Sequence, residues 1–223
     1  MLDQIICALD TGDLDVATKT VKKLSPHIKH FKIGHSLTLS HSLSVIGKLQ
    51  DAGAEKIFLD LKFHDIPNTV ALAVKEASKY GVWMTTIHTA GGSDMMKAAS
   101  EVSGRPLLMG VSVLTSLDDD SLRQVGIERS VNDQMVTMSA LAVECGFDGL
   151  ISSPHEITLL RSHIGQTPLI VTPGIRLEGG TSHDQKRFAT PQQAIADGAS
   201  YLVIGRALSE AEDLDSVISQ FFG

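Results

Sequence analysis

Asp60, Lys62 and Asp65 fall within the stretch IFLDLKFHDIPNTV, residues 57–70. In an extended chain, side chains alternate between faces. Asp60 and Lys62 then point the same way, roughly 6–7 Å apart along the strand, with Phe58 on their face and Leu59 and Leu61 on the other. Opposite charges favour the ammonium form of a lysine. That form is a poor Schiff-base nucleophile, a role that needs a lowered pKa. It suits stabilising a developing anion or delivering a proton. The same pair would also serve as a salt bridge closing the end of a strand. Asp65 lies beyond the apolar run. Pro67 fits the first turn of a following helix, and Asp65 or Asn68 would cap it.

A second group of residues suits an anion. VIGRAL, residues 203–208, ends an apolar run in Gly205-Arg206. A glycine permits close backbone approach, and an arginine grips phosphate bidentately. RLEGGTSHDQKRFATP, residues 176–191, is a long polar stretch. Arg176, Gln185 and Lys186 would reach an anion from it, and Gly179-Gly180 suits a lid. A surface arginine is the plainer reading of Arg206. The nine histidines form no HxxxH pair on a helix and no HExxH, so no metal site is expected. His88 reads as a hydrogen-bonded strand-end residue. Cys7 and Cys145 fit no metal or redox spacing and read as buried thiols in a reducing compartment.

The elements that would position these residues follow a βα rhythm. Eight apolar runs read as strands: 4–10, 30–34, 56–62, 83–89, 106–114, 149–154, 169–175 and 201–207. Segments of helical period lie between most of them, among them 13–24, 68–80 and 131–145. Gly53, Gly81, Gly146 and Gly198 each stand just past such a segment, where a helix stop needs a left-handed residue. Strands buried on both faces read as near-continuous apolar runs. Eight such units in 223 residues predict a single-domain (β/α)₈ barrel over residues 1–223. A doubly wound open sheet is the alternative, although no GxGxxG follows the first strand. In a barrel, chemistry gathers at the carboxyl ends of the strands. Those ends supply Asp10, Lys32, Asp60 with Lys62, His88, Thr115, Ser152 with Ser153, Thr172 to Arg176, and Gly205 with Arg206.

Composition narrows the function classes. The chain is 43% hydrophobic and 20% charged, as in a globular domain with a sizeable core. A net charge of −7 argues against a broad nucleic-acid footprint, so an anionic ligand would need a local basic pocket. No apolar run approaches the roughly 20 residues that span a membrane. MLDQIICALD lacks the basic start and cleavage site of a signal peptide, and a cytoplasmic location is expected.

DxKxxDIPNT, here Asp60 to Thr69, resembles the signature of the orotidine 5′-phosphate decarboxylase family, in its bacterial form without a fused partner domain. ALD at Asp10, FKIG at Lys32, LTS at Thr115, TPGIR at 172–176, DQ at Gln185 and VIGR at 203–206 fall in the family's order along the whole chain. The resemblance implies conversion of orotidine 5′-phosphate to uridine 5′-phosphate and carbon dioxide, the last step of de novo pyrimidine synthesis, with no metal or organic cofactor. It implies a homodimer in which the partner's Asp65, Ile66 and Thr69 complete each site. Lys32, Asp60, Lys62 and the partner's Asp65 would form an alternating array of charges. Lys62 would stabilise and protonate the carbanion, and Asp60 would sit against the departing carboxylate. Asp10 and Lys32 would hold ribose hydroxyls, helped by the partner's Asp65 and Thr69. Thr115 would lie against the pyrimidine edge. Arg176, Gln185, Gly205 and Arg206 would take the phosphate.

Leu177 stands where the family pattern usually has proline and Ala207 where proline is common, and HSLTLSHSL (35–43) is unlike the usual segment. Two other readings share some of these features. One is a metal-dependent sugar-phosphate decarboxylase or hexulose-phosphate synthase with the same DxKxxD. The other is a non-catalytic barrel that binds a phosphorylated ligand.

Overall fold

The short apolar runs become strands because each is covered on both faces. The computed structural model describes residues 1–175 and 189–221. Its strands are β1 (Ile5–Ala8), β2 (His30–Ile33), β3 (Lys56–Phe63), β4 (Met84–His88), β5 (Leu107–Val111), β6 (Gly149–Ile151), β7 (Leu169–Thr172) and β8 (Tyr201–Ile204). They pair in sequence order, all parallel, and β8 pairs with β1 to close the barrel. The open sheet is thereby excluded. The strands stop short of several predicted ends: β5 at Val111, β6 at Ile151, β7 at Thr172 and β8 at Ile204. The residues past those points leave the ladder at the carboxyl end of the barrel, and Arg206 and Ala207 already belong to a short helix.

The helices are α1 (Leu14–Leu24), α2 (His35–His41), α3 (Val45–Asp51), α4 (Pro67–Lys79), α5 (Gly92–Ser100), α6 (Asp119–Gln124), α7 (Val131–Glu144), α8 (Ile157–Ile164), α9 (Pro191–Ala196), α10 (Arg206–Ser209) and α11 (Leu214–Ser219). Side-chain caps fix several starts. Asp13 accepts from Asp15 N–H and Val16 N–H at 2.8 and 3.1 Å, and Ser130 accepts from Asp133 N–H. The four helix-stop glycines all have positive φ: 114° at Gly53, 69° at Gly81, 87° at Gly146 and 111° at Gly198. At Gly53 a Cβ would also stand 2.6 Å from Ser25 Oγ, so a larger residue is excluded twice.

Strand alternation sorts the core into two clusters. Ile6, Ala8, Phe58, Met84, Met109, Val171 and Val203 pack together inside the barrel. Ile5, Cys7, Ile57, Leu59, Ile87 and Leu108 face outward against Val21, Val74, Met95 and other helix residues. Each large apolar side chain so buried contributes about 1.5–3 kcal/mol. Leu61 packs on the outer cluster, as its alternation with Asp60 and Lys62 predicts. The barrel floor is aromatic. His30 stacks at 4.6 Å on Trp83 and 5.6 Å from Tyr201, and Lys56 Nζ lies 5.2 Å from the Trp83 ring centroid. Both ends of the interior are thus filled by side chains, and the polar end is the carboxyl one. Among the described residues, no helix is long and apolar enough to cross a membrane.

Candidate active site

The carboxyl ends of β1 to β4 carry the charged cluster. Lys32 pairs in register with Ala8 on one side and Phe58 on the other, so its side chain rises between Asp10 and Asp60. Its ammonium lies 3.2 Å from Asp10 Oδ1 and 3.4 Å from Asp60 Oδ2. Lys62 Nζ donates to Asp60 Oδ1 at 2.8 Å. The sequence-predicted residues Asp10, Lys32, Asp60 and Lys62 therefore form one alternating line of charges. Their side chains are 67%, 13%, 15% and 32% exposed in that order, so the pair at its middle is the most buried. Burial alone would raise the Asp60 pKa. Lys32 and Lys62, with hydrogen bonds from Lys62 and Thr86, outweigh it and hold the carboxyl below its ordinary value. Asp60 is thus an anion held between two cations at neutral pH.

The backbone under this cluster is irregular. Leu59 pairs with Thr85 and Phe63 with Ile87, so four steps along β3 match two along β4. A bulge of this kind re-aims side chains beside an active site. Lys62 takes up the distortion with φ 52°, a left-handed conformation that costs a non-glycine residue roughly 1–2 kcal/mol. Its N–H donates at 2.9 Å to Thr86 Oγ1, and the Thr86 hydroxyl donates at 2.9 Å to Asp60 Oδ1. Thr86 is fully buried. Sequence reasoning missed it. Alternation along β4 was the available signal: Met84, Thr86 and His88 share the inward face.

Leu9, Asp10, Lys32, Gly34, His35, Ser36, Asp60 and Lys62 line a cleft of about 310 Å³, at the small end of the range for small-molecule sites. His35 and Ser36 come from the unusual 35–43 segment, which forms α2 and now has a place on the cleft wall. Gly205 follows β8 and lies near Asp10. Among the described residues, a Cβ there would meet nothing nearer than Ala8 Cβ and Asp10 Oδ2, both at 3.8 Å. Arg206 follows at the start of α10. Thr115 is exposed between β5 and α6. Arg176 and Gln185, with Leu177, Gly179, Gly180 and Lys186, lie outside the described residues.

Asp65, Ile66 and Thr69 stand apart from the charged line and are exposed. Neither predicted cap forms on α4. Its N-cap is Ile66, with no side-chain cap bond, and the Asp65 carboxylate accepts from Ile66 N–H at 2.6 Å. Asp65 lies one position too early to reach the helix's free N–H groups. Asp65, Ile66, Pro67, His64 and Gly91 line a second, open cleft of about 530 Å³.

His88 ends β4 with its ring 5.5 Å from His64. Burial lowers its pKa, and the charges of His64 and Lys62 act in the same direction. Burial also pushes the Cys7 thiol up to about 12, which leaves it inert as a nucleophile.

The sequence and the fold have known counterparts. Residues 3–221 match the model of the Orotidine 5′-phosphate decarboxylase / HUMPS family. Among curated proteins, the chain is 46% identical over 214 residues to an orotidine 5′-phosphate decarboxylase of Pseudomonas fluorescens, covering 94% of this chain and 91% of that one. It is 42% identical to the same enzyme of Pseudoalteromonas translucida, covering 97% and 94%. The crystal structure of orotidine 5′-phosphate decarboxylase from Lactobacillus acidophilus superposes with a TM-score of 0.86 at 36% identity, over 99% of this chain and all of that one. The order of strand-end residues, the closed barrel and these likenesses agree, and the chain belongs to the orotidine 5′-phosphate decarboxylase / HUMPS family.

Proposed function

We propose that this chain decarboxylates orotidine 5′-phosphate to uridine 5′-phosphate, the last step of de novo pyrimidine synthesis, using its own charged side chains. One observation carries the mechanism: the Asp10–Lys32–Asp60–Lys62 line at the mouth of the barrel. The bond between ring carbon six and its carboxylate breaks. The electron pair stays on carbon six and carbon dioxide leaves. The Lys62 ammonium faces that developing charge and stabilises it, then gives a proton to carbon six. Solvent restores the proton to the amine. Fixed charges in a water-poor site stabilise a transition state more than they would in water. Asp60 holds Lys62 in place through the 2.8 Å contact and lies against the departing carboxylate.

The remaining roles are those that the resemblance to the family implies. Asp10 and Lys32 take ribose hydroxyls. Gly205 and Arg206 take the phosphate, in the region after the last strand where barrels bind phosphate. Arg176 and Gln185 join them, and Thr115 borders the pyrimidine. Asp65, Ile66 and Thr69 act on the site of a second copy. Two features support that homodimer. Asp65 is exposed and bonded only to its own neighbour's N–H among the described contacts, and Ile66 and Leu72 are large, apolar and 67% and 51% exposed. A cytoplasmic location suits such a step.

The direct test is the loss of orotidine 5′-phosphate absorbance with purified, chelator-treated protein. Turnover is expected without added metal. No turnover, or turnover only on adding a divalent metal, would overturn the assignment in favour of a metal-dependent sugar-phosphate enzyme.

A further inference from the structure

We propose that Thr86 is a positioning residue for the decarboxylation, its hydroxyl joining the Asp60 carboxylate and the Lys62 backbone into one rigid unit; this rests on the reading of the site given above. A threonine hydroxyl has one proton and two acceptor positions. Here it accepts the Lys62 N–H at 2.9 Å, so its proton is free for Asp60 Oδ1, also at 2.9 Å. Both partners of the central ion pair are thereby tied to a third residue on the neighbouring strand. The bulge makes this tie necessary. Between Leu59 and Phe63, β3 runs out of register with β4, and the Lys62 N–H takes a side-chain oxygen in place of a strand carbonyl. Lys62 holds φ 52° at that point, a conformation that persists only where its surroundings fix it.

The residue type fits the task. A β-branched side chain has restricted χ1, and Thr86 is fully buried on the inward face of β4, so its hydroxyl has one place to go. Without it, Asp60 Oδ1 would keep Lys62 Nζ as its remaining polar partner and the Lys62 N–H would lose its partner in a half-buried bulge. Among the described residues, the cleft is lined by Asp60 and Lys62 but not by Thr86, so its effect passes through those two and not through the substrate.

The test compares Thr86→Val, which keeps shape and removes the hydroxyl, with Thr86→Ser, which keeps the hydroxyl and removes the methyl. Wild-type protein is assayed beside them with orotidine 5′-phosphate. An inactive wild type would reject the functional reading itself. Given an active wild type, kcat of Thr86→Val should fall on the order of ten- to a hundredfold, the effect of losing one hydrogen bond to a charged group. The Kd for uridine 5′-phosphate should stay within about threefold, roughly 0.7 kcal/mol, because Asp10, Gly205 and Arg206 are untouched. Thr86→Ser should recover most of kcat. Should Thr86→Val fail to fold by circular dichroism, Thr86→Ala against Thr86→Ser isolates the same hydroxyl, with Ser active and Ala impaired. Equal kcat in the hydroxyl-bearing and hydroxyl-free variants, or a parallel loss of kcat and product affinity, would overturn the proposal.

Discussion

Lys62 Nζ stands 2.8 Å from Asp60 Oδ1, and the two residues share the inward face of one strand across a backbone bulge. The pair is neither an ordinary surface salt bridge nor a sealed one. Asp60 is largely buried, while Lys62 keeps a third of its side chain open to the cleft. That difference leaves the ammonium facing outward with a fixed counter-charge behind it. The proposed stabilisation of a carbanion and its protonation would use this arrangement.

Lys62→Ala should abolish turnover while leaving the fold intact. It removes both the charge and the proton, and losing one preorganised stabilising group alone costs about 10²–10³ in kcat. Steady-state kinetics beside circular dichroism decide it. Activity within tenfold of wild type in folded protein would remove Lys62 from the mechanism.

Arg206→Ala should weaken uridine 5′-phosphate binding by about 1.5–3 kcal/mol, the worth of a charge-assisted hydrogen bond. In calorimetry that is roughly a ten- to hundredfold rise in Kd. Treatment with EDTA should change nothing. Unaltered affinity in the variant would mean that the phosphate binds elsewhere.

Asp65→Asn and Lys62→Ala should complement each other. Each homodimer is expected to be nearly inactive. After dissociation and reassembly, about half of the dimers are mixed, and each mixed dimer carries one wholly wild-type site if Asp65 serves the partner. Roughly a quarter of wild-type activity should return. If mass spectrometry shows subunit exchange and the mixture stays inactive, Asp65 acts within its own subunit.

Stability should fall on acidification partly through His30. Burial lowers its pKa, and the nearby Lys56 adds to this, while a hydrogen bond to the Ile5 backbone, then Asp3 and Glu55, oppose it. Its Nδ1 has no hydrogen-bond partner among the described residues. The unfolded chain therefore takes up the proton first as pH drops through the ordinary histidine value of about 6.5. From there the native state loses stability down to the lower native value, by at most about 1.4 kcal/mol per pH unit from this one group. The loss is absent above about pH 7, where both states are neutral. His30→Phe, which keeps the aromatic floor with Trp83 and Tyr201, should flatten the dependence of Tm on pH between 7 and 5. An unchanged slope would assign the acid sensitivity to other groups, His88 first among them.

The eight βα units were legible in the sequence because their signals are local. Apolar runs mark strands buried on both faces, and Gly53, Gly81, Gly146 and Gly198 mark helix stops that only a residue free to adopt positive φ satisfies. Once the barrel is inferred, strand ends face one mouth, which is why Asp10, Lys32, Asp60 and Lys62 could be named together before any coordinates. The DIPNT run then identified the family. Tertiary structure decided the rest. Period-two alternation says that Asp60 and Lys62 share a face, but it contains no bulge. The left-handed turn at Lys62 and the Thr86 bridge arise from pairing between β3 and β4, a relation between residues 26 positions apart. The cap of α4 was likewise undecided, since Asp65 and Asn68 both suit the role by type and only the backbone path put Ile66 there. Types and spacing name the charged groups; which atom of each meets which depends on register, and register is set where strands distant in sequence come together.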